Sequence, residues 1–334
     1  MQNKIFVFSI FYLIFFGCSE SKETRKKAFL LKGNEALSAQ QYELAERYFY
    51  ESIKIDSCFE DALNNLGTMA FQQHHFDKAT DFYSLAIVCN PQFFSALLNR
   101  ANAYREMGNY DSSLVDISKL ISLKPDTAII YFIQGLVAMK KRDNNLAFNA
   151  FSKAIALDSQ NVAYFVNRAT VNFYRRLFND AKHDLMVAKN LDSNEGNIYN
   201  TLAMIEIEEN NIDSAGKNIN KAVELVPNQP FFINNRGYIF LMQKKLDLAI
   251  KDINHSLDIE PKNGWAIRNL GIYYLFSGDY PKASKLLKQA EEMDSTIDKI
   301  HYYLGLSYLK NGSKDLANSE FELSGKKGEN MINK

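Results

Sequence analysis

The sequence predicts an all-α solenoid of nine tandem helix-turn-helix repeats, and three series of residues with one 34-residue spacing predict it. The first series is a small residue, which indicates that two helix backbones approach closely in every repeat: Gly33, Gly67, Ala101, Gly135, Ala169, Ala203, Gly237, Gly271 and Gly305. A second small residue follows after 12 positions: Ala45, Ala79, Ser113, Ala147, Ala181, Ala215, Ala249, Ala283 and Ala317. An apolar residue follows the first series after 16 positions: Phe49, Tyr83, Ile117, Phe151, Leu185, Ile219, Ile253, Leu287 and Phe321.

Each repeat is predicted to contain a first helix (helix A), a tight turn and a second helix (helix B). In the second repeat, Leu63, Leu66 and Ala70 keep helical spacing, and Ala79 and Tyr83 resume it after the turn. Residues that tolerate a positive φ recur at the turn: Gly108, Asn210, Gly278 and Gly312. Prolines recur where helix B must end: Pro91, Pro125, Pro227 and Pro261.

The repeats are predicted to fill residues 26–331, followed by a short tail at 332–334. The ninth repeat carries Gly325 and Lys327 where earlier repeats place apolar residues. A polar outer face is what a terminal repeat needs, so the ninth repeat is expected to be a cap. Because each repeat packs only against its neighbours, no single central core is expected.

This pattern resembles the tetratricopeptide repeat (TPR), whose 34-residue signature is W-x2-L-G-x2-Y, then A-x3-F, then P. The resemblance covers about nine-tenths of the chain in its small-residue and proline positions. The tryptophan position departs from the signature: Phe29, Leu63, Leu97, Tyr131, Phe165, Tyr199, Ile233, Ile267 and His301. The resemblance implies a right-handed superhelix with a concave groove formed by the A helices.

Composition and motifs favour a protein without catalytic activity. Lys plus Arg equals Asp plus Glu at 39 each, which argues against a nucleic-acid partner. No phosphate loop, G-x-S-x-G elbow or dinucleotide fingerprint occurs in the sequence, and no small-molecule substrate is evident. The five histidines are dispersed without a metal-ligand spacing: His74, His75, His183, His255 and His301. We therefore expect no cofactor, no metal site and no enzyme.

The N-terminus is typical of an exported protein. Lys4 precedes a twelve-residue apolar stretch at 5–16, which is too short to span a bilayer but suits a signal peptide. The following Gly17 and Cys18 resemble a bacterial lipobox, in which the cysteine is lipidated. This resemblance implies a signal peptide at 1–17, a lipidated Cys18 with a short tether at 18–25, and a cell-envelope location. Ser19 after the cysteine implies the outer membrane. The alternative is an ordinary signal peptide with an incidental cysteine.

Two other cysteines lie within the repeats. Cys89 occupies the position that Ile55, Leu123 and Leu157 hold in other repeats, so the sequence favours a role as a small hydrophobic residue. The alternative is a disulfide with Cys58, which an oxidising envelope would permit.

Three alternate repeats share a charged pair. Repeats three, five and seven, and no others, carry an Arg just before the small residue and an Asp 16 positions after that Arg. The pairs are Arg100 with Asp116, Arg168 with Asp184, and Arg236 with Asp252. We predict that each pair is a bidentate bridge between two helices. The alternative is charge displayed to a partner.

An asparagine series marks the predicted groove. The asparagines lie two positions before the small residue: Asn65, Asn99, Asn167, Asn235 and Asn269. In several peptide-binding TPR proteins an Asn at this position hydrogen-bonds the ligand backbone, and the resemblance implies the same role here. The family's Lys-Asn clamp for C-terminal carboxylates is not matched, because Leu30 and Ser95 replace its lysines. The alternative is that these asparagines only solvate helix A.

The C-terminal half of the predicted groove is the more apolar half. Family register turns aromatic and apolar side chains inward there, with one Arg: Phe231, Tyr238, Met242, Trp265, Arg268 and Phe276. Such a set is typical of a binding surface. The sequence therefore predicts a non-catalytic envelope lipoprotein that binds a protein or an extended peptide in this groove, as an accessory of secretion, pilus or outer-membrane assembly. The main alternative is a scaffold that braces an envelope complex through its convex surface and repeat edges, and a solenoid that binds a glycan or another small ligand is a third.

Overall fold

The computed structural model describes residues 21–325, and these residues form eighteen α-helices without a strand. The chain divides into two compact units at residues 141 and 142. The first unit contains α1 (Lys22–Ser38), α2 (Tyr42–Ile55), α3 (Glu60–Gln72), α4 (Phe76–Cys89), α5 (Phe94–Glu106), α6 (Tyr110–Leu123) and α7 (Ala128–Lys140). The second unit contains α8 (Asn144–Leu157), α9 (Val162–Tyr174), α10 (Phe178–Leu191), α11 (Gly196–Glu208), α12 (Ile212–Leu225), α13 (Pro230–Met242), α14 (Leu246–Ile259), α15 (Gly264–Ser277), α16 (Tyr280–Met293), α17 (Ile300–Lys310) and α18 (Lys314–Leu323).

The eighteen helices confirm the predicted all-α solenoid of about nine A and B helix pairs. The predicted signal peptide, Cys18, the whole tail at 332–334 and Lys327 of the predicted cap lie outside the described residues. No helix between residues 21 and 325 is long and apolar enough to cross a bilayer. Within the same residues, no cluster of three or more His, Cys, Asp or Glu side chains could hold a metal ion.

The 34-residue series of small residues lies where helix A packs on helix B of the same repeat. At Gly67, a Cβ atom would lie 2.6 Å from the ring of Tyr83, and at Gly305 it would lie 2.7 Å from the ring of Phe321. In the sequence, the residue types of the two series are correlated. An aromatic residue in the apolar series occurs only in repeats whose small residue is glycine, never in those with alanine. The largest side chains of the apolar series therefore occur only where the small residue has no side chain.

We expect Gly67→Ala to lower the free energy of unfolding by about 1–3 kcal/mol, because the added methyl overlaps the fully buried Tyr83 ring. Gly216→Ala in α12 is the matched control, because its Cβ would come that close only to the flexible end of Gln243. Urea unfolding followed by circular dichroism measures both variants. The double variant Gly67→Ala, Tyr83→Ile, which reproduces the Ala–Ile pairing of repeat three, should recover part of the loss. Equal effects at Gly67 and Gly216 would refute the packing explanation.

All nine turns between helices A and B contain a left-handed residue at the same position. The sequence predicted four of them by residue type, and Gly108, Gly278 and Gly312 have φ between 77° and 88°. Side chains that rarely adopt this conformation occupy the same position elsewhere: Gln40, His74, Arg142, Arg176 and Lys244, with Asn210 as predicted. Packing of the two helices therefore imposes the turn conformation regardless of the residue present.

The cysteine interpretation that the sequence favoured is wrong. Cys58, in the connection before α3, and Cys89, the last residue of α4, form a disulfide whose Cα atoms are 5.3 Å apart. The two residues are 31 positions apart. Because a tight turn joins α3 to α4 and the two helices pack side by side, the start of α3 lies beside the end of α4. Spacing alone could not show the bond, because a disulfide requires a short Cα separation and Cβ atoms that point toward each other.

The three predicted charged pairs are confirmed as bidentate bridges within a repeat, from helix A to helix B. Arg168 Nε and Nη2 donate to the two carboxylate oxygens of Asp184 at 2.9 and 2.6 Å, and the other two pairs repeat this geometry. Arg168 Nη1 also donates to Ser152 Oγ at 3.2 Å, as Arg100 does to Ser84 at 3.0 Å. In these two repeats the guanidinium thus also connects to helix B of the preceding repeat.

Candidate functional site

A cavity of about 500 Å³ lies within the second unit, and we call it the unit-2 groove. Its wall comes from the A helices α9, α11, α13 and α15 and from residues 298 and 299, just before α17. Successive A helices lie side by side in a solenoid, so one face of each helix contributes a strip of the wall.

Six of the predicted site residues line the unit-2 groove: Asn167, Phe231, Asn235, Tyr238, Trp265 and Arg268. The exposed side chains among them are Phe231 and Trp265, each 38% exposed, whereas Tyr238 and Arg268 are only 3% exposed. The two exposed rings can contact a ligand directly. The two buried residues form the floor on which such a ligand would rest.

The other predicted site residues lie elsewhere. Met242 lines a second cavity of about 780 Å³, and Phe276 is 44% exposed outside both cavities. Asn269 is fully buried, and Asn65 and Asn99 belong to the first unit. Burial of Asn269 follows from the close approach of α13 and α15 at this point.

The asparagine series forms a ladder between repeats, which sequence reasoning missed. Four of the five asparagines donate from Nδ2 to the Oδ1 of an asparagine in the preceding repeat, at 2.8–3.0 Å: Asn65 to Asn34, Asn99 to Asn64, Asn235 to Asn200 and Asn269 to Asn234. Asn167 instead donates to the carbonyl of Ala163. The acceptors are also asparagines, and this repetition was the signal in the sequence that could have revealed the ladder.

The ladder changes what the asparagines can offer a ligand. An amide whose Nδ2 serves the neighbouring repeat still has its Oδ1, and an amide whose Oδ1 accepts still has its Nδ2. In the unit-2 groove, Asn235 therefore retains an acceptor, while Asn200 and Asn234 retain donors. Their binding role stays a prediction, but the ladder fixes the orientation of each amide.

The connection between α16 and α17, residues 294–299, closes one side of the unit-2 groove. Lys299 adopts a left-handed conformation, and α17 begins two residues later than the 34-residue register requires. Lys299 Nζ lies 2.5 Å from the carboxylate of Glu208 at the end of α11, and Arg176 lies 2.8 Å from the same carboxylate. Asp294 pairs with Arg142 at 2.9 Å. We call residues 294–299 the closing segment.

Glu208 and Lys299 each favour the charged form of the other. Burial acts to raise the pKa of Glu208, but hydrogen bonds from Lys299 and Arg176 outweigh it, so the pKa is lowered. Burial acts to lower the pKa of Lys299, but the Tyr238 hydroxyl and Glu208 outweigh it, so that pKa is raised. Both groups therefore remain charged around neutral pH, and the ion pair persists there. Sequence reasoning missed Glu208 and Lys299, because 91 residues separate them.

Three stretches of the chain match models of the tetratricopeptide repeat: residues 82–114, 196–229 and 268–323. Among curated proteins, the chain is 29% identical over 139 residues to Hsp70-Hsp90 organizing protein 1 of Glycine max, covering 42% of this chain and 23% of that protein. It is 33% identical over 95 residues to the Hsp70-Hsp90 organizing protein of Triticum aestivum, covering 28% of this chain and 16% of that protein. The chain thus spans less than a quarter of the length of these relatives.

Solved structures show the same fold at low sequence identity. The APC/C hetero-tetramer Cut9-Hcn1 superposes with a TM-score of 0.64 at 18% identity, over 90% of this chain and 60% of that chain. Pseudomonas aeruginosa pilF superposes with a TM-score of 0.51 at 16% identity, over 66% of this chain and 97% of that chain. The matched stretches fall in both units, and the A helices from α3 to α15 begin at intervals of 34 residues. The chain therefore contains tetratricopeptide repeats in both units.

Proposed function

We propose that this chain is a non-catalytic protein-binding module that holds an extended segment of a protein partner in the unit-2 groove. The observation that carries the proposal is the combination of a 500 Å³ cavity, two exposed aromatic rings and asparagine amides with fixed orientation. The rings offer apolar area, and the amides offer backbone hydrogen bonds that do not depend on the ligand's side chains. Hsp70-Hsp90 organizing proteins, which this chain resembles in part, are named for organizing two other proteins, Hsp70 and Hsp90.

We further propose that the protein is a lipid-anchored component of a bacterial cell envelope, at the outer membrane, as an accessory of secretion, pilus or outer-membrane assembly. The apolar stretch before Gly17 and Cys18 supports export and lipidation. The disulfide between Cys58 and Cys89 supports an oxidising compartment, because such bonds are rare in reducing cytosol. An attachment through several acyl chains would be stable, unlike one through a single chain.

A scaffold role is the second candidate, and exposed apolar side chains on helix B favour it. Val88 of α4 is 77% exposed and Val115 of α6 is 70% exposed. Such residues suit a contact with a large partner surface, although single exposed apolar residues are common on proteins.

Replacing both Trp265 and Phe231 by alanine is expected to abolish most partner capture, because aromatic anchors that a partner covers contribute about 2 kcal/mol or more each to an interface. The partner captured by the full chain from detergent-solubilised envelopes is identified by cross-linking and quantified for each variant. Met186→Ala is the matched control, because Met186 is 57% exposed but does not line the groove. Undiminished capture by the Trp265→Ala, Phe231→Ala variant, with loss in a Val88→Asp, Val115→Asp variant, would establish the scaffold role instead.

Cys18→Ala is expected to eliminate lipidation, because the thiol is the acceptor of the acyl group. Metabolic labelling with palmitate measures the modification, and fractionation shows whether the protein leaves the membrane. The double variant Cys58→Ala, Cys89→Ala is the control and should keep its label. Label retained in Cys18→Ala would contradict the lipoprotein assignment.

A further inference from the structure

A buried arginine in the unit-2 groove has no anionic partner among the described residues. Arg268 is 3% exposed, and its Nε and Nη2 donate to Asn269 Oδ1 at 3.0 and 2.7 Å. Its Nη1 donates to the carbonyl oxygen of Asp298 at 2.7 Å. Among residues 21–325 its hydrogen-bond acceptors are thus an amide and a carbonyl, and none is a carboxylate.

The other arginines at comparable positions differ in this respect. Arg100, Arg168 and Arg236 each bind both oxygens of an aspartate on helix B. Arg268 lies two positions earlier in the helical register than an Arg of that series would, which turns it toward the groove. A buried guanidinium remains charged at all physiological pH values, and burial without a counter-charge is costly.

Aromatic rings hold this guanidinium in place. Its central carbon lies 4.9 Å from the ring centroid of Tyr238 and 4.9 Å from that of Trp265. These contacts stabilise a cation and fix its plane. Three of its five N–H groups are used by Asn269 and Asp298, so two remain for a ligand.

The groove as a whole has an unbalanced charge of one unit. Its charged lining residues are three cations, Arg176, Arg268 and Lys299, and two anions, Glu208 and Asp298. Glu208 is already paired with Arg176 and Lys299. The free donors of Asn200 and Asn234 line the same cavity. A single negative charge with two acceptor oxygens matches this set, and a carboxylate provides both.

We infer that the unit-2 groove recognises a carboxylate of its peptide ligand, with Arg268 as the counter-charge. This inference rests on the proposed peptide-binding function of the same groove. The carboxylate belongs either to the C-terminus of the segment or to an Asp or Glu side chain within it, and the experiment separates these two sources.

The test uses the full chain immobilised in detergent and two random octapeptide libraries, one with free C-termini and one with the random segment placed internally. The best-binding peptide is then synthesised with its carboxylates intact, with an amidated C-terminus, and with Asp and Glu replaced by Asn and Gln. Fluorescence anisotropy measures the affinity of each form. Amidation or replacement of the recognised carboxylate should weaken binding at least about tenfold, as loss of a charged hydrogen bond does.

Variants of the protein test whether Arg268 is responsible for the preference for the acid form of the peptide over the amide form. In Arg268→Met the acid and amide forms should bind with affinities within about threefold of each other. Arg176→Met removes the same charge from the same groove but from a paired arginine, so the tenfold preference should persist there. If Arg268→Met is misfolded by circular dichroism, Arg268→Gln, which keeps a planar amide, takes its place.

Each remaining outcome overturns the inference. Equal binding of acid and amide forms to the unaltered protein would refute it while leaving the peptide-binding function intact. A preference retained in Arg268→Met or Arg268→Gln would place the counter-charge elsewhere. No binding from either library would refute both the inference and the proposed function.

Discussion

Asp184→Ala is expected to lower the free energy of unfolding by about 3 kcal/mol, the largest effect of any single substitution proposed for this chain. Asp184 is 2% exposed and accepts two hydrogen bonds from Arg168, whose side chain is 21% exposed. Removal of the carboxylate leaves a half-buried guanidinium whose remaining side-chain hydrogen-bond acceptor among the described residues is Ser152. The charge must then be solvated at the junction of two repeats, where water has little access.

A double-mutant cycle with Arg168→Ala isolates the pair, and a coupling energy of about 0.5–3 kcal/mol is expected. Urea unfolding followed by circular dichroism supplies the four free energies. Asp180→Ala is the matched control, because Asp180 lies on the same helix but is exposed and should cost less than about 1 kcal/mol. A coupling near zero would show that the bridge does not stabilise the repeat.

Reduction of the disulfide is the second large effect. The bond closes a loop with a sequence separation of 31, and constraint of the unfolded chain by such a loop corresponds to about 3–4 kcal/mol. Reducing agent should therefore lower the urea midpoint of the unaltered protein. In the double variant Cys58→Ala, Cys89→Ala, the urea midpoint without reductant should be lower than that of the unaltered protein. Adding reductant should leave it unchanged.

The state of the two thiols is measured directly by alkylation without reductant, followed by mass mapping of each cysteine. Cys58 and Cys89 should be protected, and both should become alkylated after reduction. Alkylation of both residues in the untreated, folded protein would contradict the disulfide and remove its support for an oxidising compartment.

Much of the fold followed from the sequence, because it depends on contacts that recur with the repeat. Gly67 and the ring of Tyr83 belong to one repeat, and helix A packs against helix B at the same two positions in the other repeats. The pairing of Arg168 with Asp184 followed for the same reason, since two helices joined by a tight turn must face each other. The presence of Arg and Asp in the same three repeats made the contact visible without a structure.

Features that depend on the stacking of several repeats could be seen only in the tertiary structure. The sequence placed Tyr238, Arg268 and Asn269 on the groove face, but their burial depends on how closely α13, α15 and α17 approach one another. The asparagine ladder also runs between repeats, so the same amides that were predicted to face a ligand are partly used by the neighbouring helix.

Contacts between residues far apart in the sequence were the least predictable feature. The sequence by itself determined the number of repeats, their helices, the within-repeat packing and the residues available for a groove. The tertiary structure decided that Cys58 meets Cys89, that Lys299 meets Glu208 and that Arg268 has no carboxylate partner among the described residues. For Cys58 and Cys89, at the two ends of one helix pair, the physical reason is that a bond depends on the separation and direction of two side chains. For Lys299 and Glu208, which lie several repeats apart, it is that small rotations between adjacent repeats accumulate along a solenoid. Contacts across many repeats therefore depend on that accumulated geometry, which no single 34-residue unit encodes.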